Sequence, residues 1–167
     1  MFPTIHRFME GLLSPRTSLR TLSEARFAQD GTGALLLERT TLFAEAQCTL
    51  GARRLRLFCP LSPLAHRLAE TTAQRLKYHP AEFLLPWRML REEFTYTDAT
   101  GTQRTCDLVA QELPAEGEPL ATAVGHADRD RLLSALDTLQ RQLAQAGLTH
   151  NNLKAANLWM TPDYRLA

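Results

Sequence analysis

The sequence lacks any apolar run near the ~20 residues that a membrane span requires. Its first residues show no basic stretch leading into a long apolar one, the mark of a secretory signal. Charge of one sign is also missing. Nineteen Lys and Arg against eighteen Asp and Glu leave a net charge of +1. No global field therefore draws the chain to nucleic acid or to an anionic membrane. Cysteine is scarce: Cys48, Cys59 and Cys106 are odd in number and too widely spaced for a zinc pattern. Two of them sit inside apolar runs, where a free thiol behaves as a small core residue in a reducing compartment. There is no internal repeat and no low-complexity segment. These absences lead to the expectation of a cytoplasmic protein with no nucleic-acid and no membrane partner.

What remains is a chain of 167 residues with 44% hydrophobic and 22% charged residues, enough for a self-sufficient core. Residues 1–20 are mixed and read as a short helix followed by an extended arm. Residues 23–61 read as strands. Leu42, Ala44, Ala46 and Cys48 alternate with Phe43, Glu45 and Gln47, the period-2 signal of a half-buried strand. Leu50, Gly51 and Ala52 make a turn, after which Leu55, Leu57 and Cys59 alternate with Arg54, Arg56 and Phe58. The basic group Arg53, Arg54 and Arg56 reads as a solvated strand edge, a common guard against aggregation. Ser62 as N-cap and Pro63 at the first helical position open a helix that runs to Tyr78. Strands over 83–96 and 102–112 flank the turn Asp98-Ala99-Thr100-Gly101, where glycine supplies the positive φ. Residues 114–119 read as a linker. Leu132, Leu133, Leu136, Leu139 and Leu143 then form a stripe at helical spacing over 129–146, with Asp128 as N-cap and Gly147 as the closing glycine. The expected class is α+β, a mostly antiparallel sheet with segregated helices.

The most informative stretch is polar: His150-Asn151-Asn152-Leu153-Lys154-Ala155-Ala156-Asn157, followed by the apolar Leu158-Trp159-Met160. It resembles the catalytic loop of the protein-kinase-like superfamily, H-x-D-L-K-x-x-N ahead of a strand. His150, Leu153, Lys154 and Asn157 match in type and spacing, and Asn152 stands where the family has aspartate. The context is similar too: an amphipathic helix before the loop, and a strand and linker before that helix. The resemblance covers residues 23–167, although only the loop is specific in sequence. It implies a small lobe, an antiparallel sheet with one helix, followed by the start of a helical large lobe. The expected boundaries are an N-terminal arm at 1–22, a small-lobe-like region at 23–113, a hinge or linker at 114–127 and the start of a large lobe at 128–167. The alternative reading of the same residues is structural, with His150 a core histidine that braces the loop and Asn151, Asn152 and Asn157 capping turns.

The resemblance also assigns roles. The family's loop aspartate orients the substrate hydroxyl or takes its proton, the loop asparagine holds magnesium, and the lysine neutralises the transferred phosphoryl. An amide at Asn152 cannot accept a proton near neutral pH, and losing a positioned base typically costs ~10²–10⁴ in rate. Lys154 remains available for phosphate and Asn157 for a metal ion. Glu112 and Leu113, at the strand-to-linker hinge, are the expected nucleotide contacts. Other family parts are weak or missing. The strand over 54–61 has no lysine, and Arg54 and Arg56 are the cations considered in its place. Glu70, on the helix that follows, corresponds to the family's helix glutamate and has no evident partner. Asp30-Gly31-Thr32-Gly33 contains only a G-x-G and reads as a plain turn. No D-F-G follows Asn157, and Asp163 reads as a turn residue between two short strands. The expectation is a pseudokinase-type domain with no bound cofactor, or ATP and Mg²⁺ if activity is retained. The rivals are the front portion of an active atypical phosphotransferase and a pure interaction module. The leucine stripe over 129–146 points to a protein partner or to self-association through that helix.

Overall fold

The computed structural model describes residues 2–78, 80–148 and 154–167. The chain divides into two compact units. The first comprises Met1–Pro80 and Pro86–Leu113, the second Ala81–Leu85 and Pro114–Ala167. Among the described residues no helix is long and apolar enough to cross a membrane.

The first unit is built on an antiparallel sheet. Its strands are β1 (Arg26–Phe27), β2 (Leu37–Arg39), β3 (Phe43–Leu50), β4 (Arg53–Pro60), β5 (Trp87–Thr97) and β6 (Gln103–Leu113). They lie in the order β1-β3-β4-β6-β5, and β2 also pairs with β3. The period-2 pattern sets the register. Ala44, Ala46 and Cys48 oppose Cys59, Leu57 and Leu55, while Phe43, Glu45 and Gln47 oppose Pro60, Phe58 and Arg56. Two turns are as read from sequence, with Gly51 at φ 59° and Gly101 at φ 82°. Asp98 organises the second: its Oδ1 accepts from the Thr100 amide (2.8 Å), the Thr100 hydroxyl (2.6 Å) and the Thr102 amide (3.0 Å).

Helix α3, Pro63–Tyr78, joins β4 to β5 and packs on one face of this sheet. The Ser62 hydroxyl accepts from the Ala65 amide at 3.2 Å and caps it. Ala65 and Ala69 are fully buried against Phe43, Phe58 and Val109. Small side chains let the helix approach closely, which explains why Phe43 and Phe58, placed by alternation on the polar side, are buried. Both sheet faces are apolar at this end.

The N-terminal residues form the expected short helix, α1 (Ile5–Leu12), but where an extended arm was expected a second helix follows, α2 (Pro15–Ser18). Phe8, Leu12, Leu19 and Leu22 join Leu57, Phe94, Tyr96 and Leu108 in the largest core cluster, on the sheet face opposite α3. The sheet is therefore covered on both faces, whereas one helix on one face was expected. The approach is tight: a Cβ built on Gly11 would lie 2.3 Å from the Phe94 ring.

Strand β5 contains a bulge between Leu90 and Phe94, where the ladder register shifts. The charged run Arg91-Glu92-Glu93 sits there, and Glu92 takes φ 48°. The irregularity re-aims these side chains, the usual consequence of a bulge. Glu93 is fully buried. Its carboxylate accepts from the Thr21 amide (2.8 Å), the Thr21 hydroxyl (2.7 Å) and the Leu22 amide (2.9 Å), which fastens the N-terminal segment to the sheet.

The second unit contains β7 (Glu118–Pro119), α4 (Leu120–Ala123), α5 (Arg129–Gln145), a 3-10 turn at Ala155–Asn157 and β8 (Trp159–Met160). β7 pairs with β8, so the stretch read as linker contributes a short strand. Asp128 caps α5 by accepting from the Arg131 amide at 2.9 Å. Gly147, at φ 63°, closes it. The Gly147 and Leu148 amides donate to the Ala144 and Leu143 carbonyls, the paired bonds of a Schellman ending. The core gathers Leu120, Ala123, Leu139, Leu158, Met160 and Leu166. Leu139 alone of the α5 stripe is fully buried; Leu132, Leu136 and Leu143 are half-buried, and Leu133 is 55% exposed.

Candidate functional site

The loop that carries the sequence resemblance falls partly outside the described residues: His150 and Asn152 lie there, with Asn151 and Leu153. The remainder is in the second unit. Lys154 is extended and exposed just before the 3-10 turn, and its carbonyl accepts from the Asn157 amide at 2.8 Å. Asn157 is half-buried at the end of that turn. Asp163 is the turn residue expected. It accepts from the Thr161 hydroxyl (2.5 Å) and Arg165 Nε (2.6 Å), and the flanking residues pair through Met160 and Leu166.

The hinge candidates close the first unit. Glu112 and Leu113 are the last two residues of β6 and point to opposite faces. Glu112 is held by Arg53, which donates from Nε at 2.9 Å and from Nη2 at 2.8 Å. That fork lowers the Glu112 carboxyl from its ordinary value, against a smaller opposing effect of burial. Leu113 is buried, opposite Arg54 in the β4–β6 register.

The α3 face of the sheet is divided. Its apolar end holds Phe43, Phe58, Trp87 and Val109 under α3. Away from it the same alternation places Gln47, Thr49, Arg54, Arg56 and Gln111. Here the strand without a lysine presents its arginines. Arg56 is committed to carboxylates of the sheet itself: Glu45 on β3 at 2.5 Å and Glu38 on β2 at 3.6 Å. Its guanidinium lies 5.2 Å from the Phe58 ring centroid. A charged pair so largely withdrawn from water leaves little field for an external anion.

Glu70 has a partner that sequence reasoning missed. It pairs with Arg91, in the β5 bulge. Arg91 also donates to Asp107 Oδ2 at 2.7 Å, and His66 Nε2 lies 2.9 Å from the same oxygen. The Glu92 amide donates to Asp107 Oδ1 at 2.8 Å. The Arg91 hydrogen bond lowers the Glu70 carboxyl, with burial opposing. For Asp107 burial is the largest single influence and pushes upward. The His66, Glu92 and Arg91 hydrogen bonds together outweigh it, so the net direction is down. The signal available in the sequence was three consecutive charges within an otherwise strand-like run. Such a run interrupts the two-residue alternation but names neither the bulge nor its partners.

The Asp30-Gly31-Thr32-Gly33 stretch is a turn between β1 and β2. Asp30 Oδ1 accepts from the Thr32 amide (2.8 Å), the Thr32 hydroxyl (2.6 Å) and the Ala34 amide (3.0 Å). Those amides are satisfied within the turn, as the plain-turn reading expects.

No protein-family model matches the chain, and no curated protein matches it.

Proposed function

We propose that this chain is a pseudokinase-type domain that acts by binding or regulation, with little or no phosphotransfer. The observation that carries the reading is the partnering of Glu70 and Arg56. In the resembled family the helix glutamate meets a strand lysine that also serves the nucleotide phosphates. Here Glu70 is joined to Arg91 of β5, and Arg56 of β4 is joined to Glu45 and Glu38. The cation and carboxylate are thus spent in two separate networks, a wiring suited to a scaffold. Asn152 in place of the loop aspartate agrees with this, as does the strand order with α3 between β4 and β5. On this reading Glu112 and Leu113 form the degenerate nucleotide edge. His150, Lys154 and Asn157 are the remnants of the catalytic loop, with Asn157 as the vestigial metal ligand.

The test is a thermal shift at millimolar ATP with Mg²⁺, because stabilisation follows RT ln(1 + [L]/Kd). The expected result is no shift, with no phosphate release from the wild type or from Asn152→Asp. A shift of several degrees that EDTA abolishes, or phosphate release by the wild type, would favour an active atypical phosphotransferase instead.

A partner reading accompanies it. The half-buried stripe of α5 borders an open groove of about 760 Å³, with Ala135, Leu139 and Leu166 among its apolar residues. Its place beside that stripe supports a protein partner, or a second copy, engaged through helix 129–146.

A further inference from the structure

The outer face of α3 carries an arrangement that the preceding reading does not use. Leu64, Leu68, Thr71, Arg75 and Tyr78 follow one another at spacings of four, three, four and three residues, the seam of a heptad repeat. All five are exposed: Leu64 is 52%, Leu68 44% and Tyr78 74% accessible. The opposite side of the helix, at Ala65 and Ala69, is the one committed to the sheet. α3 therefore has an exposed stripe of two leucines and a tyrosine that, among the described residues, joins no core cluster. Scattered exposed leucines need no explanation, but leucines and a tyrosine in one helical seam do.

The charge along the seam is one-sided. Arg67 flanks it, Arg75 lies in it, and both are exposed. Among the described residues neither has an ion-pair partner. The one acidic residue of the helix, Glu70, is turned to Arg91.

We propose that this face of α3 docks an acidic amphipathic helix of a partner protein in coiled-coil-like packing. The seam supplies the holes for apolar knobs, and Arg67 and Arg75 select carboxylates on the incoming helix. A second copy of the chain is the wrong occupant. In a parallel pair Arg75 would meet Arg75, and in an antiparallel pair centred on Thr71 it would meet Arg67. The parallel pairing sets like charges together within the seam, and the antiparallel one brings Arg75 against Arg67 at its edge. The inference stands apart from the nucleotide reading, since the seam shares no residue with it.

The test uses the full chain and two labelled peptides of repeated heptads. Both have leucine at the seam positions; one has glutamate at the flanks and the other lysine. Fluorescence anisotropy should show the glutamate peptide binding and the lysine peptide at least roughly tenfold weaker. The double substitution Leu64→Glu with Leu68→Glu should abolish binding. Arg67→Glu with Arg75→Glu should reverse the peptide preference, a readout that altered stability alone would not give. Unchanged melting curves are expected for both variants, because the substituted side chains are exposed. Equal affinity for both peptides, or for neither, would overturn the proposal. So would sedimentation showing that the wild type self-associates through this seam, or binding to phosphatidylserine vesicles without binding to peptide.

Discussion

Removing the Glu93 carboxylate should loosen the N-terminal layer from the sheet. Glu93 is buried in the β5 bulge and accepts three hydrogen bonds from Thr21 and Leu22. In Glu93→Ala the Thr21 groups, which lie at the surface, can turn to water at small cost. The Leu22 amide cannot, because Leu22 is buried. An orphaned buried donor costs ~1–3 kcal/mol, and a lost bond to a charged acceptor is worth ~1.5–3 kcal/mol. Part of the second figure is already contained in the first, so the expected loss is about 2–4 kcal/mol. Glu93→Gln keeps one carbonyl oxygen for the two amides, and its NH₂ can donate to the Thr21 hydroxyl, so a loss of about 1 kcal/mol is expected. Urea unfolding read by tryptophan fluorescence measures the order wild type, Gln, Ala. Hydrogen exchange locates the effect, with protection falling first over 5–22. If the alanine variant lay within about 0.5 kcal/mol of wild type, or exchange over 5–22 did not change, the clamp would carry no weight and the reasoning would fail.

Gly11→Ala pits two effects against each other. Helix propensity favours alanine by up to ~1 kcal/mol, but a Cβ 2.3 Å from the buried Phe94 ring forces repacking at ~1–3 kcal/mol, so a net destabilisation is expected in the same urea assay. Asp98 is held far below the ordinary carboxylate range, chiefly by the Thr100 hydroxyl, with Arg104 and the turn amides adding to it and burial opposing. A depressed folded value contributes stability that is present above the ordinary aspartate value of ~3.9 and is lost as pH falls through the folded one. Asp98→Asn should therefore flatten the acid limb of a plot of Tm against pH, and an unchanged limb would count against the turn's role. In α5, Leu139→Ala should cost ~2–5 kcal/mol, whereas Leu133→Ser should stay within ~0.5 kcal/mol. Equal losses from the two would mean that the stripe is uniformly packed.

Much of the local structure is legible in the sequence because its causes are local. Asp128 and Gly147 bracket α5, Ser62 and Pro63 open α3, and Gly51 and Gly101 turn two hairpins. Each depends on residues a few positions away. The alternation through β3 and β4 likewise follows from the two-residue period of a strand. The polar loop is a different case. Its resemblance is visible in the spacing of His150, Asn152, Lys154 and Asn157, but His150 and Asn152 lie outside the described residues, so their chemistry rests on the sequence alone. What only the tertiary structure decided are contacts between residues far apart in the chain. The first 22 residues carry a helical apolar pattern at Ile5, Phe8, Met9 and Leu12, but the surface that pattern covers is set by the sheet. Glu70 finds Arg91 only because a bulge turns β5 toward α3. Arg56 finds Glu45 because β3 and β4 pair in one register. Glu93, one charge among three in a strand, becomes a buried acceptor once Thr21 and Leu22 arrive from 72 and 71 positions away. A sequence fixes periods and caps through neighbours, while the partner of a charge is set by which surfaces meet.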